Sequence, residues 1–179
     1  MANTTFQGPV TSKNGFITTG PANVVDADSS VALTVATHAG RIVHNNAAGA
    51  VTYTLPALNA TADGASSGPG SDIDNLNNLG ATFTIVNSIT KTGDLVVQVA
   101  NANDIMTGSA TIVDSDTSDN MEGFVTSSTS DTITLNGSTT GCVTHATITC
   151  TAISSTKWSV SVVTAGTGNL ATPFSAAVS

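Results

Sequence analysis

Three histidines are the first residues in this sequence that could bind a metal or transfer a proton: His38, His44 and His145. His38 and His44 flank a Gly40-Arg41 turn, which could bring them together on facing strands. A zinc site needs further ligands within reach, and none is spaced to complete one here. We therefore predict no metal or catalytic role for the histidines, and we expect His145 to be exposed.

An acidic segment is the better candidate for a cation site. It contains Asp114, Asp116, Asp119 and Glu122, and Ca²⁺ takes its oxygen ligands from loops of this kind. The spacing departs from the EF-hand pattern, which requires alternating acidic positions, a central glycine and a terminal glutamate. A solvated acidic loop is the favoured interpretation, so we predict no metal and no cofactor.

Nucleophiles are abundant, but nothing in their spacing suggests an active site. Ser and Thr occur throughout the chain, yet no G-x-S-x-G elbow precedes a predicted helix. Glu122 is the only glutamate, and aromatic residues make up 4% of the chain, which argues against a cleft that stacks and cleaves sugars. We predict no catalytic residues and expect that the protein is not an enzyme.

The two cysteines fall in the run CVTHATITC, at Cys142 and Cys150. The run contains no turn residue, which predicts one strand with the cysteines roughly 26 Å apart. A disulfide needs Cα atoms within about 7 Å, so this pair is not expected to bond. Two buried thiols are predicted, consistent with assembly in a reducing cytoplasm.

The composition favours strands over helices. Charged residues are 9% of the chain, and Val, Thr, Ser and Asn replace the Lys and Glu that usually cover helices. A net charge of −8 would repel a phosphate backbone, so nucleic acid is not an expected partner. No stretch approaches the roughly 18 apolar residues of a membrane helix, and no signal peptide is recognisable at the start.

Alternation of apolar and polar residues predicts the strands themselves. A period of two is typical of half-buried strands, and Gly, Asn, Asp and Ser separate the alternating runs. This pattern predicts an all-β fold, an antiparallel β-sandwich or β-barrel. The alternating runs lie at residues 31–36, 51–55, 82–85, 95–99, 132–135 and 158–162.

Turn signals divide the chain into an arm and a body. Residues 1–30 contain three turn-type breaks and are predicted to form an extended N-terminal arm. Residues 31–179 are predicted to form the β body, with a long contact loop at 59–80 and an extended tail from about residue 164. Apolar arm residues would be exposed on an isolated arm, so we expect them to contact the body or a neighbouring subunit. These residues are Phe6, Val10, Phe16 and Ile17.

The sequence also resembles small virion proteins of tailed bacteriophages, especially those of marine and cyanobacterial hosts. The opening MANTTFQGPVTSKNGF is similar to their short arm, and the order VTYTLPAL, GATFTIVN, LVVQVANANDIMTGSA, KWSVSV is similar to their β domain. The landmarks are a strand ending in Leu-Pro, a Phe-x-Ile-x-Asn strand, an Asp-Ile-x-x-Gly turn and a closing Trp strand. They lie at Leu55-Pro56, Gly80 to Asn87, Asp104 to Gly108 and Trp158.

This resemblance implies a head decoration, or cement, protein. Such a protein binds the outer surface of the major capsid lattice and stabilises the head, so the implied location is the capsid exterior after assembly in the host cytoplasm. Capsid lattices offer threefold sites, which favours a homotrimer. The alternative is a tail-fibre or receptor-binding subunit of the virion, although the chain has no coiled-coil shaft and only one Trp and one Tyr.

Overall fold

A computed structural model describes residues 24–59, 78–116 and 120–178 of the chain. These residues form a mostly β structure with a single four-residue helix among them. No helix in these ranges is long and apolar enough to cross a membrane. The elements are β1 (Val24–Asp26), β2 (Val31–Ala32), α1 (Val35–His38), β3 (Ile42–Asn45), β4 (Val51–Thr54), β5 (Thr82–Asn87), β6 (Leu95–Gln98), β7 (Ile105–Asp114), β8 (Met121–Val125), β9 (Thr132–Leu135), β10 (Ala146–Ser154), β11 (Lys157–Gly166) and β12 (Phe174–Ser175).

The alternating runs form strands at five of the six predicted places, which are now β4, β5, β6, β9 and β11. In β4 the side chains of Val51 and Tyr53 are buried and those of Thr52 and Thr54 are half-buried, as a period of two requires. In β11 Trp158 is fully buried between exposed neighbours. The apolar member of each alternating pair therefore faces the core.

Two local predictions were wrong. The run at 31–36 forms only the short strand β2 and then enters α1, because Thr34 caps the helix: its Oγ1 accepts a hydrogen bond from the N–H of Thr37 at 3.3 Å. The Asp104 to Gly108 turn is also absent, because β7 begins at Ile105 and runs through Gly108. Gly108 has a φ of 155°, and a Cβ there would lie 1.8 Å from the carbonyl oxygen of Val160 on β11.

The strands form two mixed sheets, so the prediction of antiparallel sheets was wrong. The seven-stranded sheet has the order β1-β3-β5-β10-β11-β7-β8, and the five-stranded sheet has the order β12-β9-β6-β4-β2. Half of the strand pairs between described residues are parallel. They are β1 with β3, β3 with β5, β2 with β4, β4 with β6, and β7 with β11.

The first six strands form what we call the parallel coil. Consecutive strands alternate between the two sheets, so β1, β3 and β5 lie in the larger sheet and β2, β4 and β6 in the smaller one. Each strand pairs in parallel with the strand two places earlier, and parallel pairing requires a crossover between partners. Here the crossover is a strand of the opposite sheet. The chain therefore winds around a common axis, as in β-helices.

Strands β7 to β12 form what we call the hairpin region. The β10–β11 hairpin lies between β5 and β7 in the larger sheet, and β8 folds back on β7 as the outer strand. In the smaller sheet β9 extends the coil by antiparallel pairing with β6, and β12 pairs with β9. The acidic segment at 114–122 connects β7 to β8, at one end of the larger sheet.

One hydrophobic cluster receives side chains from both sheets. Its largest members include Trp158 of β11 and Phe83 of β5, whose rings meet edge to face with centroids 5.8 Å apart. Tyr53 and Leu135 bring the smaller sheet into the same cluster. The parallel coil and the hairpin region therefore share a core.

Strands also occur inside the ranges assigned to the arm and the tail. β1 and the residues up to Ser30 belong to the range 1–30, and β1 pairs with β3 at the edge of the larger sheet. The end of β11 and all of β12 lie in the range predicted as a tail. Residues 1–23 and 60–77, which include most of the arm and of the long loop, lie outside the described residues.

Candidate functional site

The predicted contact residues of the arm cannot be placed on this fold. Phe6, Val10, Phe16 and Ile17 all lie outside the described residues. The first described residue, Val24, begins β1, which is an edge strand. The role of the arm therefore stays a prediction, and the site is built from the surface that the described residues form.

The predicted calcium ligands are spread along the β7–β8 connection. Asp114 is buried, and its Oδ1 accepts the N–H of Asp116 at 3.1 Å. Asp116 Oδ2 accepts the N–H of Gly168 at 3.2 Å, so both carboxylates bind main chain. Glu122 is exposed on β8, and Asp119 lies outside the described residues. Within the described ranges no three His, Cys, Asp or Glu side chains come close enough to hold a metal ion.

The structure gives the three histidines separate surroundings. His38 is buried in α1, where its Nδ1 accepts the N–H of Thr34 at 3.0 Å. His145 is exposed, as predicted, and its ring Nδ1 lies 3.1 Å from Thr144 Oγ1, while its carbonyl oxygen accepts a hydrogen bond from Thr164 Oγ1. His44 lies on β3, where its side chain is part of a polar cluster described below.

Both cysteines are free and buried, as predicted, but they do not share one strand. β10 begins at Ala146, and Cys142 precedes it with a φ of 67°. The N–H of Cys142 donates to Thr164 Oγ1 at 2.8 Å, which fixes this bend. Burial raises the pKa of each thiol to about 12, so the reactive thiolate is suppressed.

A buried lysine was not predicted by any pattern in the sequence. Lys91 is 2% exposed, and its Nζ donates hydrogen bonds to the carbonyl oxygens of Ala47, at 2.6 Å, and Gly49. Loss of hydration lowers its pKa, which the nearby Cys142, Asp28 and Asp94 partly oppose. The ammonium group therefore holds the coil corner between β3 and β4 together.

Hydroxyl side chains cover the centre of the larger sheet on its outer face. They occupy the non-core positions of four adjacent strands, and the register places them in rows, such as Thr84–Thr149–Ser161–Ser109. Thr82 Oγ1 and Thr151 Oγ1 are 3.0 Å apart across two of these strands. We call this surface the hydroxyl face. It consists of Thr82, Thr84, Thr107, Ser109, Thr111, Thr147, Thr149, Thr151, Ser159 and Ser161.

The hydroxyl face ends in exposed aliphatic side chains at strand β8. Met121 is 68% exposed and pairs with Val113 of β7, while Val125 is 77% exposed and pairs with Ser109. Val163 is also exposed; it lies on β11, the strand next to β7 on the side away from β8. We call Val113, Met121, Val125 and Val163 the apolar edge. Among the described residues β8 is the last strand of the sheet, and no other strand in these ranges pairs with its outward main-chain groups.

A polar cluster of Asp26, His44 and Ser88 lies at the opposite edge of the same sheet. His44 Nδ1 is 2.8 Å from Asp26 Oδ1, and His44 Nε2 is 2.8 Å from Ser88 Oγ. Asp26 and His44 are register partners on β1 and β3, and Ser88 follows β5. Sequence reasoning missed this cluster because its members are 18 and 44 residues apart and meet only through parallel pairing.

Comparison with known proteins gives no relative: no protein-family model, no curated protein and no solved structure matches this chain.

Proposed function

We propose that this chain is a virion structural protein that decorates the outside of a bacteriophage head and stabilises the major capsid lattice. The observation that carries the proposal is the outer surface of the larger sheet, where a broad hydroxyl face runs into an apolar edge on an open strand. This proposal agrees with the resemblance of the arm and of the strand order to small phage virion proteins.

The apolar edge has the features of a surface that another protein covers. Monomeric proteins rarely leave a long flat edge strand with large aliphatic side chains open to water, because such an edge recruits further strands. On its outer side β8 presents Met121, Gly123 and Val125, and the one charged residue of this strand, Glu122, lies on the opposite side. A strand of a capsid protein or of a neighbouring copy could add to β8 by main-chain hydrogen bonds.

The low charge of the hydroxyl face favours a large contact built from many weak contacts. Its Thr and Ser side chains can donate and accept hydrogen bonds without the cost of burying ions. A decoration protein is bound at many equivalent lattice sites, so weak individual contacts add up through multivalency. In the proposed assembly three copies meet at a threefold site, the two sheets of each copy pack as a β-sandwich, and the arm lies on a neighbour.

Substitution of the apolar edge tests this proposal. In the full-length protein, Met121→Asp with Val125→Asp is expected to abolish co-sedimentation with heads assembled without the chain, because a buried unpaired carboxylate is costly. Ile42→Asp is the matched control, since Ile42 is 39% exposed on β3, the strand next to the opposite edge of the same sheet. The control should bind as the wild type does, and all three proteins should have similar melting temperatures.

The position of the protein on the virion distinguishes a head decoration protein from a tail protein. Electron microscopy of virions labelled with antibody against this chain is expected to place the label on the head. Phe6→Ser with Phe16→Ser in the full-length protein should weaken head binding and leave the melting temperature of the body unchanged. Label confined to the tail, or equal binding by the Met121 and Val125 double variant, would contradict the decoration role.

A further inference from the structure

The Asp26, His44 and Ser88 side chains are brought together by the parallel coil. Asp26 pairs with His44, and His44 pairs with Val86, so three adjacent strands align these positions in one row. Ser88 lies two residues after Val86, which points its side chain to the same face as His44. Asp26 and Ser88 are 62 positions apart in the chain, yet the register places the three groups in a hydrogen-bonded series.

In one tautomer of His44 the hydrogen bonds have the polarity that activates a hydroxyl. When His44 Nδ1–H donates to Asp26 Oδ1 at 2.8 Å, Nε2 is left as an acceptor for the Ser88 O–H, also at 2.8 Å. Asn46 Oδ1 is a second acceptor for this hydroxyl, at the longer distance of 3.4 Å. A serine, a histidine base and a carboxylate that orients the base are the groups of the serine hydrolase triad, which is recognised by geometry and not by chain order. Asp28 does not compete for the histidine, because its Oδ1 accepts the N–H of Asn46 at 2.6 Å.

A main-chain donor lies beside the hydroxyl. In many serine hydrolases the N–H of the residue after the nucleophile binds the oxyanion of the tetrahedral intermediate. Here that residue is Ile89, and its N–H has no hydrogen-bond partner within the described part of the chain. The Ser88 N–H is already used, since it donates to the carbonyl oxygen of Asn45 at 3.1 Å. Ile89 is therefore available as the oxyanion donor.

We infer that Ser88 is a nucleophile for acyl transfer, with His44 as its general base and Asp26 as the residue that positions His44. Ser88 Oγ forms a bond to the carbonyl carbon of an ester as its proton passes to His44 Nε2. His44 returns this proton to the leaving oxygen when the ester C–O bond breaks. Water then attacks the acyl-serine as His44 Nε2 takes its proton. His44 passes this proton to Ser88 Oγ when the acyl–oxygen bond breaks, which releases the carboxylic acid and regenerates Ser88.

The openness of the site sets the class of acyl donor. The described residues enclose no cavity beside the cluster, and the Asp26 side chain is 78% exposed. The described residues around the cluster offer no pocket that would bury a long acyl chain, which favours selection by the reactivity and size of the acyl group. The ligand class is a small ester, with acetyl esters as the simplest member, either free or attached to an exposed hydroxyl of a polymer.

Covalent labelling of the full-length protein tests this inference. A fluorophosphonate probe is expected to add to Ser88, as located by peptide mass spectrometry, and 4-nitrophenyl acetate is expected to be hydrolysed. Ser88→Ala and His44→Gln should each lower the rate of 4-nitrophenyl acetate hydrolysis by about 10²-fold or more, because each variant removes the activated nucleophile or its base. O-acetylated and de-acetylated forms of one polysaccharide distinguish a polymer ester from a free one.

Matched variants separate activation from general surface reactivity. Ser175→Ala removes an exposed hydroxyl on β12 of the smaller sheet, away from the histidine cluster and from the hydroxyl face, and should leave the rate unchanged. Asp26→Glu should retain more of the rate than Asp26→Ala, because a carboxylate can still orient His44. Probe on residues other than Ser88, or a hydrolysis rate that Ser88→Ala and His44→Gln leave intact while the melting temperature is unchanged, would overturn the inference. Circular dichroism checks that each variant is folded. If Ser88→Ala does not fold, Ser88→Cys is the replacement variant, because it changes the nucleophile and keeps a side chain of similar size.

Discussion

The parallel coil and the hairpin region build one core by different routes. The coil uses strands of two to six residues. After each strand the chain crosses to the opposite sheet, and it then returns to form the parallel partner of that strand. The hairpin region uses β7, β10 and β11, which are nine or ten residues long and stay in the larger sheet. Short strands make the coil dependent on its corners, whereas the long strands supply a continuous ladder of main-chain hydrogen bonds.

Side chains satisfy buried main-chain groups in both regions. At the coil corners Lys91 donates to the carbonyl oxygens of Ala47 and Gly49, and Asp28 accepts the N–H of Asn46. In the hairpin region Asp131 accepts the N–H groups of Ala177 and Val178, and Thr164 Oγ1 donates to the carbonyl oxygen of His145. Donors and acceptors therefore act in both regions, and the coil differs in its use of a buried ammonium group.

Two asparagines show how the coil register is fixed. Asn45 and Asn87 are register partners at the ends of β3 and β5, and both are fully buried. Asn45 Nδ2 and Asn87 Oδ1 have no partner among the described residues, although one is a donor and the other an acceptor. The other amide atom of each side chain bonds locally: Asn45 Oδ1 accepts the N–H of Ala47 at 2.8 Å, and Asn87 Nδ2 donates to the carbonyl oxygen of Ile89. A register slip of one residue would end the pairing of the two asparagines and turn the buried face of β3 outward.

The largest expected effect is at the contact between the two regions. Trp158 of the hairpin region packs on Phe83 of the coil, and Trp158→Ala should lower the free energy of unfolding by about 3 to 5 kcal/mol. Urea denaturation followed by circular dichroism measures this loss. The Trp158 Nε1–H has no partner among the described residues, so packing alone holds the ring.

Trp158→Phe is the matched variant. It keeps an aromatic ring against Phe83 and loses no hydrogen bond made within the described ranges, so it should cost clearly less than Trp158→Ala. Equal losses of unfolding free energy in the two variants would show that a phenyl ring cannot replace the packing of the indole. An unchanged melting temperature in Trp158→Ala would show that the two regions do not depend on this contact.

The next largest effect should be confined to the coil corner. Lys91→Met removes the donor of two carbonyl oxygens, and each buried acceptor left unpaired costs about 1 to 3 kcal/mol, offset in part because no charge is then buried. We expect a net loss of about 2 kcal/mol at pH 7. Lys157→Met is the control, since Lys157 is exposed at the start of β11. Similar losses for the two lysines would contradict the role of Lys91 at the corner.

The sequence predicts the strands of this fold better than it predicts how they pair. Alternation identifies β4, β5 and β11 because each buries one face, and it places Trp158 in the core. Alternation carries no information on whether the partner strand is parallel, so the coil could not be predicted from it. For the same reason the sequence does not predict the cluster of Asp26, His44 and Ser88, which forms through parallel pairing and has no local pattern in the chain. The burial of Lys91 is not predicted either, because a lysine is normally a surface residue.

The smallest expected effect distinguishes the regions by their response to alkaline pH. Cys150 of β10 is fully buried, which raises the pKa of its thiol from 9.0 to about 12. Between these values the unfolded thiol has lost its proton and the folded thiol keeps it, so the folded state binds more protons and stability falls as pH rises. Lys91 acts in the opposite direction, because its lowered pKa makes the unfolded state the one that binds more protons.

Cys150→Ala should therefore flatten the alkaline loss of stability. Between pH 8 and pH 10 the wild type should lose on the order of 1 kcal/mol more than the variant, as measured by urea unfolding at each pH. Any pH-independent cost of the smaller side chain cancels in this difference. Cys142 and Tyr53, whose pKa values burial also raises, remain in both proteins and contribute equally. A parallel loss in wild type and variant would mean that the Cys150 thiol ionises without unfolding β10, and that the hairpin region opens more readily than its continuous ladder implies.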